Sequence, residues 1–131
     1  MSTRARIGIQ LPDGKILSVY HHWDGYPDWL GVTLKEHYNT EKKALKLIEG
    51  GDMSCCWAND RFKKERKNHE HPLKTVKKFG PNYYSYRGED RPPRLDDNRL
   101  SYICYGESYN YIFHNNTWIC FDSEENEVVI P

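Results

Sequence analysis

The sequence has few aliphatic side chains, and no apolar run approaches the roughly 18 residues that a membrane-spanning helix needs. Its N-terminus lacks the basic, apolar and small-residue regions of a secretory signal. The cysteines, Cys55, Cys56, Cys104 and Cys120, form no C-x-x-C pair, which argues against a zinc ribbon or a redox motif. We therefore expect a cytoplasmic protein with reduced thiols, no metal, no cofactor and no membrane partner.

Aromatic residues are plentiful instead: ten tyrosines, four tryptophans and four phenylalanines. A core built largely from rings has polar edges that need hydrogen-bond partners. A chain of 131 residues suffices for one modest core, so we predict a single domain spanning residues 1–131. The formal net charge is zero, and overall charge therefore indicates neither an acidic nor a basic partner.

Alternating apolar residues mark the two ends of the chain as β-hairpins. "RIGIQLPDGKILSVY" places Pro-Asp-Gly turn chemistry between two alternating segments, and "YNYIFHNNTWICFD" predicts a strand, an Asn-Asn turn and a second strand. "YYSYRGED" is suited to entering a central strand, and the tail "SEENEVVIP" to adding an edge strand. The two consecutive prolines of "RPPRLDDN" predict an irregular segment.

Helical spacing appears between the hairpins. Leu30 and Leu34, with Pro27 just before them, predict a helix over about 28–38. Thr40 is a suitable N-cap for a second helix, "EKKALKLIEGG", which the two glycines end. In "RLSYICYG", Leu100, Ile103 and Cys104 fit one helical turn, although the tyrosines and the isoleucine also suit a strand. We favour a third, short helix.

Residues 52–82 show neither period and carry a basic run, with eight basic and two acidic residues over 61–78. We predict an irregular basic excursion at about 52–82. The whole pattern predicts an α+β domain: a mostly antiparallel sheet, formed by the N-terminal hairpin, a central strand and the C-terminal hairpin, covered on one face by two or three short helices.

"YHHWDGYPDWLG" at 20–31 connects the first hairpin to the first helix, which gives most of its residues a structural explanation. Asp24 can accept backbone hydrogen bonds, Gly25 can adopt positive φ, and the rings of Trp23 and Tyr26 can hold the helix against the sheet. The competing interpretation makes His22 and Asp24 an acid/base or metal pair. We favour the structural explanation, since a metal site needs three or four ligands and the remaining histidines show no ligand spacing.

"HHWDGYPDWLGVTLKEHYNT" also resembles a family of small uncharacterised proteins encoded by bacteriophages, prophages and some bacteria. These share a His-Trp-Asp-Gly-Tyr-Pro block followed by Gly, Leu and Glu-His-Tyr, and "YRGED" and the closing hairpin resemble later parts of the family. The resemblance implies a phage origin and an accessory role, such as countering or redirecting a host system.

"RGED" supplies charges that form a site only if they fold beside the first motif. Arg87, Glu89 and Asp90 would then hold a phosphate or an ion, although a surface ion-pair cluster is the commoner arrangement. We assign no catalytic residue, because nucleophile, P-loop and dinucleotide motifs are all missing. The candidate residues for binding a ligand or partner are His22, Trp23, Asp24, Tyr26, Arg87, Glu89 and Asp90.

Three functions remain. The first is a non-enzymatic inhibitor or redirector that binds a host protein in the host-cell cytoplasm, which the Tyr/Trp-rich composition favours. The second is a binder of a small nucleotide-like ligand through Trp23, Tyr26 and Arg87. The third is a metal-dependent hydrolase or nuclease using His22, Asp24, Glu89 and Asp90. We do not expect nucleic acid as a partner, because the known nucleic-acid-binding signatures are missing.

Overall fold

The computed structural model describes residues 2–57 and 80–131. Within these residues the chain forms eight strands and three α-helices. The strands are β1 (Ala5–Gln10), β2 (Ile16–His21), β3 (Met53–Trp57), β4 (Gly80–Tyr83), β5 (Arg94–Asp96), β6 (Tyr109–His114), β7 (Thr117–Asp122) and β8 (Glu127–Val128). The helices are α1 (Val32–His37), α2 (Glu41–Glu49) and α3 (Arg99–Cys104), with a π-helical turn at Pro27–Gly31 and a 3-10 turn at Tyr84–Arg87.

One mixed sheet contains all eight strands. Seven of them follow the order β4-β3-β2-β1-β6-β7-β8, and β5 pairs with β2 outside this order. Two of its pairings are parallel, β1 with β6 and β2 with β3, and the others are antiparallel. Strand β1 fills one edge of β2, so β3 and β5 share the other edge: β5 pairs with residues 16–18 and β3 joins at His21. The predicted α+β class and mostly antiparallel sheet are confirmed. The central strand expected in "YYSYRGED" is wrong: β4 ends at Tyr83 and lies at the edge of the sheet, and Tyr84–Arg87 forms the 3-10 turn.

Both predicted hairpins are present with the expected turns. Gly14 of the first turn has φ +88°, and Asn115 and Asn116 of the second have φ 51° and 59°, the left-handed conformation that asparagine tolerates best after glycine. The tail adds β8 at the sheet edge, as predicted.

Helices α1 and α2 cover the sheet face to which Ile7, Ile9 and Val19 point. Thr40 caps α2 by accepting a hydrogen bond from the Lys43 backbone N–H at 3.2 Å, and the predicted 28–38 helix begins as a π-helical turn that continues into α1. The main core has these buried members: Ala5, Ile7, Ile9, Val19, Leu30, Leu34, Ala44, Leu47, Ile48, Met53, Cys56, Tyr111, Phe113, Trp118 and Cys120.

Helix α3 lies over the opposite face, a placement that the sequence analysis did not predict. Ile16 and Ile112 form a second apolar cluster with Tyr102 and Ile103, and the Tyr102 ring packs over Gly8. Of the three residues predicted to share a face of this helix, Ile103 is buried, whereas Leu100 is 57 % exposed and Cys104 is exposed; the fully buried residue is Tyr102. Its hydroxyl donates to the Tyr111 carbonyl at 2.7 Å, which satisfies the polar edge of the ring.

The irregular excursion predicted at 52–82 is ordered at both ends. Residues 53–57 and 80–83 are the antiparallel strands β3 and β4, in which Met53, Cys55 and Cys56 are buried. Met53 and Cys55 are buried on either side of the half-buried Ser54, but Cys56 is buried too and the register shifts between Met53 and Cys55. The segment therefore lacks the strict alternation that predicts a strand. The remainder, 58–79, lies outside the described residues. Arg94–Asp96 is also a strand, because the prolines that exclude regular structure end at residue 93.

The corner between β2 and the first helical turn depends on a close backbone approach at Gly25. Its N–H donates to the Thr3 carbonyl at 2.8 Å, and its carbonyl accepts from the buried Tyr111 hydroxyl at 2.7 Å. A Cβ at this position would lie 2.6 Å from the Ala5 Cβ. The left-handed conformation predicted for Gly25 is found one residue earlier, at Asp24, with φ 55°.

We expect Gly25→Ala to lower the free energy of unfolding by about 2–3 kcal/mol, because the added methyl overlaps β1. Gly88→Ala is the control: Gly88 has φ +81°, but no atom lies within 4 Å of the position that an added methyl would take. Its free energy of unfolding should fall by only about 1 kcal/mol, the cost of a left-handed backbone at alanine. Urea denaturation measures both. An equal or smaller loss for Gly25→Ala would contradict the close-approach explanation.

Candidate functional site

His22 and Trp23 extend the pairing of β2 with β3 beyond the end of β2. The backbone N–H of His22 donates to the Met53 carbonyl at 3.3 Å, and that of Trp23 donates to the Ser54 carbonyl at 2.8 Å. The two rings touch edge to face with centroids 4.7 Å apart. The start of the motif is therefore fixed by strand pairing, as the structural explanation expects.

The rings of Trp23 and Tyr26 contribute to a small aromatic cluster. Both are half-buried and pack against the buried residues Trp29 and Cys55. This cluster joins the π-helical turn to β3, which is the role that the sequence analysis gave to these two rings. Because Trp23 and Tyr26 pack against these residues, the apolar area in that contact is not available for stacking on a nucleotide-like ligand.

The His22 side chain is tied to Tyr20, two residues earlier on the same strand face. Tyr20 Oη lies 2.6 Å from His22 Nδ1. Burial lowers the pKa of His22, and the positive charges of Arg4 and Arg91 lower it further. In the neutral tautomer that carries its proton on Nε2, His22 Nδ1 accepts a hydrogen bond from the Tyr20 hydroxyl.

The second predicted group, Arg87, Glu89 and Asp90, lies on the exposed 3-10 turn and the residues that follow it. Arg87 donates through Nε and Nη2 to Glu89 Oε2, at 3.0 and 2.6 Å, and its guanidinium lies 4.8 Å from the centroid of the Tyr84 ring. All three residues of the group are exposed. Arg87 and Glu89 thus form a surface ion pair, which the sequence analysis gave as the alternative to a binding site.

Arg91, which the sequence analysis did not select, connects the two groups. Its guanidinium lies 4.5 Å from the Tyr84 centroid and 5.8 Å from the Tyr20 centroid. The guanidiniums of Arg87 and Arg91 therefore both pack against the Tyr84 ring. Tyr20 contacts Arg91 through its ring and His22 through its hydroxyl. We call Tyr20, His22, Tyr84, Arg87 and Arg91 the tyrosine–arginine surface. Tyr84 is itself only 8 % exposed, so it supports the two guanidiniums, which are the parts that a partner can contact.

Asp52 holds this surface against the sheet through four hydrogen bonds. Its Oδ1 accepts from the Tyr20 backbone N–H at 2.8 Å, and its Oδ2 accepts from Arg91 Nε at 3.1 Å. Its backbone N–H donates to the Arg91 carbonyl at 2.9 Å, and its carbonyl accepts from the Tyr84 N–H at 3.0 Å. One residue thereby fixes three separate chain segments.

The sequence carried only weak signals for the residues it missed. Asp52 follows the two glycines that end α2, a position typical of an ordinary loop, and Arg91 precedes two prolines. Tyr20 and Tyr84 are among ten tyrosines, with no spacing that distinguishes them. Their association depends on β3 and the residue-91 segment meeting at one edge of β2, which is a tertiary property.

Over residues 2–57 and 80–131, no three side chains of His, Cys, Asp or Glu are grouped so that they could hold a metal ion. The same part of the chain contains no helix with the length and apolar character to cross a membrane. Comparison with protein-family models, with curated proteins and with solved structures gives no match to this chain.

His21, between the two site residues Tyr20 and His22, points into the core and has a different chemistry. It is 1 % exposed, and neither ring nitrogen has a hydrogen-bond partner among the described residues. Burial lowers its pKa from 6.5 to about 3, with a smaller contribution from His22. The two adjacent histidines of the motif are thus separated by strand alternation into a neutral core residue and a surface residue.

We expect this histidine to make folding acid-sensitive. Because the pKa is lower in the folded chain than in the unfolded chain, the unfolded state binds the extra proton as pH falls below about 6.5. Stability is then complete above that pH and declines toward pH 3, by up to about 1.4 kcal/mol per pH unit from this residue. Urea denaturation between pH 7 and 4 should show a shallower pH dependence in His21→Leu than in wild type, and an identical dependence would contradict the assignment.

Proposed function

We propose that this protein acts without catalysis, by binding a host protein through the tyrosine–arginine surface. In this proposal it is a phage-type accessory protein that inhibits or redirects its target in the cytoplasm of the host cell. The resemblance of the "HHWDGYP" block to phage and prophage proteins supports the origin, and the surface itself supports the mode of action.

The observation that carries the proposal is the pair of guanidiniums on the Tyr84 ring, 4.8 Å from it for Arg87 and 4.5 Å for Arg91. Tyrosine and arginine are the residues that, with tryptophan, contribute most to binding energy at protein interfaces. Stacking restricts the arginine side chains before binding, so less conformational entropy is lost when a partner is bound.

The charges of the surface indicate the chemistry of the partner. The Arg87 and Arg91 side chains are 65 % and 42 % exposed, and each already forms an ion pair with a neighbouring carboxylate. A partner that presents carboxylates can exchange with Glu89 for the exposed guanidinium of Arg87. We therefore infer a protein surface of mixed or acidic character.

The test is a pull-down from a host lysate with wild-type protein as micromolar bait, compared with two charge-reversal variants. Arg87→Glu alters the surface at an exposed position, and Lys46→Glu makes the same charge change on the exposed side of α2. We expect a partner that wild type and Lys46→Glu retain and that Arg87→Glu retains at least tenfold less.

Retention by none of the three baits, or equal retention by all three, would refute the proposal. A thermal-shift screen with nucleotides runs beside it. A rise of several degrees in melting temperature with a nucleotide, in the absence of a retained protein, would favour the small-ligand alternative instead.

A further inference from the structure

A second cationic site lies on the face of the sheet that α3 covers, around Arg6. Arg6 is only 7 % exposed, and among the described residues its guanidinium donates to Ser18 alone, through Nε to Oγ at 3.0 Å and through Nη2 to the carbonyl at 3.2 Å. Within the described part of the chain, no carboxylate oxygen lies within the 4.0 Å of an ion pair. A buried cation without a paired anion is costly.

Arg94 brings another guanidinium to the same place. It faces Ser18 in the register of β5 with β2, so the two arginines flank one serine. Its Nε donates to Asp96 Oδ2 at 2.9 Å and its Nη1 to the Tyr105 carbonyl at 3.0 Å, while its buried Nη2 has no acceptor in the described residues. The side chain as a whole is 37 % exposed, so part of it faces solvent although Nη2 itself is buried.

Positive charges outnumber negative ones around Arg6. Arg6 and Arg94 contribute two positive charges, and Asp96 is the one carboxylate in contact with either of them among the described residues. Burial, and then the charge of Arg94, lower the pKa of Arg6, whereas Tyr102, Asp52 and Asp96 raise it by smaller amounts. Asp52 is itself paired with Arg91. Within residues 2–57 and 80–131, one positive charge and one buried donor therefore remain without a partner.

We infer that Arg6 and Arg94 form a binding site for an oxyanion, a phosphate or carboxylate group, which binds on the exposed side of Arg94 and supplies the missing negative charge. Guanidinium groups suit such ligands because their planar N–H fork matches two oxygens of the anion. The site is built from β1, β2 and β5 and does not rest on the proposed host partner.

The test measures binding of inorganic phosphate and of acetate by the full chain, with sodium chloride at matched ionic strength as the reference. We expect a saturable rise in melting temperature with phosphate, acetate or both. Binding of phosphate alone identifies a phosphate-group ligand, and binding of acetate identifies a carboxylate, so both results support the site. A response no larger than that to chloride overturns it.

Arg94→Lys keeps the positive charge but removes the planar fork, and we expect it to weaken anion binding at least tenfold. Arg99→Lys is the matched control, because Arg99 is also half-buried and donates to Gln10 Oε1 at 2.7 Å, outside the proposed site. Equal weakening in both variants would overturn the assignment.

A wild-type measurement covers the case in which Arg94→Lys does not fold. Phosphate titration followed by the arginine Nε–Hε resonances should shift the signals of Arg6 and Arg94 and leave that of Arg99 in place. Uniform shifts of all arginine signals, or none, would contradict a specific site.

Discussion

The carboxylate of Asp52 closes a gap that the sheet leaves on β2. One edge of β2 is paired with β5 at residues 16–18 and with β3 at His21, and the Tyr20 N–H lies between these two pairings. A buried N–H needs an acceptor, and Asp52 Oδ1 supplies it. Oδ2 of the same carboxylate accepts a hydrogen bond from Arg91. Asp52 therefore both completes the sheet and positions the arginine that stacks on Tyr84.

The candidate surface follows from this constraint. The segment after β4 and the segment before β5 are both held to Asp52, by the Tyr84 N–H and by the Arg91 carbonyl. These bonds place Arg91 between Tyr20 and Tyr84, which are 64 residues apart in the chain. The tyrosine–arginine surface is therefore a product of strand pairing rather than of a contiguous motif, and the conspicuous "HHWDGYP" block contributes to it mainly through His22 and its bond to Tyr20.

Local patterns predicted those parts of the fold that depend on neighbours in sequence. The Pro-Asp-Gly and Asn-Asn turns fixed both hairpins, and the Thr40 cap fixed the start of α2. Strands β3 and β4 and the placement of α3 could not be found in this way, because their pairing and burial depend on residues far away in the chain. The same limit applied to the site: Arg87 and Glu89 were identified from their charge, whereas the importance of Asp52 and Arg91 emerges only from contacts between distant segments.

The central claim is that Asp52 couples the sheet to the tyrosine–arginine surface. Amide hydrogen exchange in wild type and in Asp52→Ala tests it most directly, with the amides of the β6–β7 hairpin as the internal reference. We expect the Tyr20 and Tyr84 amides to lose protection about tenfold or more relative to that hairpin, since the Tyr20 N–H loses its acceptor and the Tyr84 N–H loses the anchored segment that it pairs with. Unchanged relative protection of both amides would contradict it.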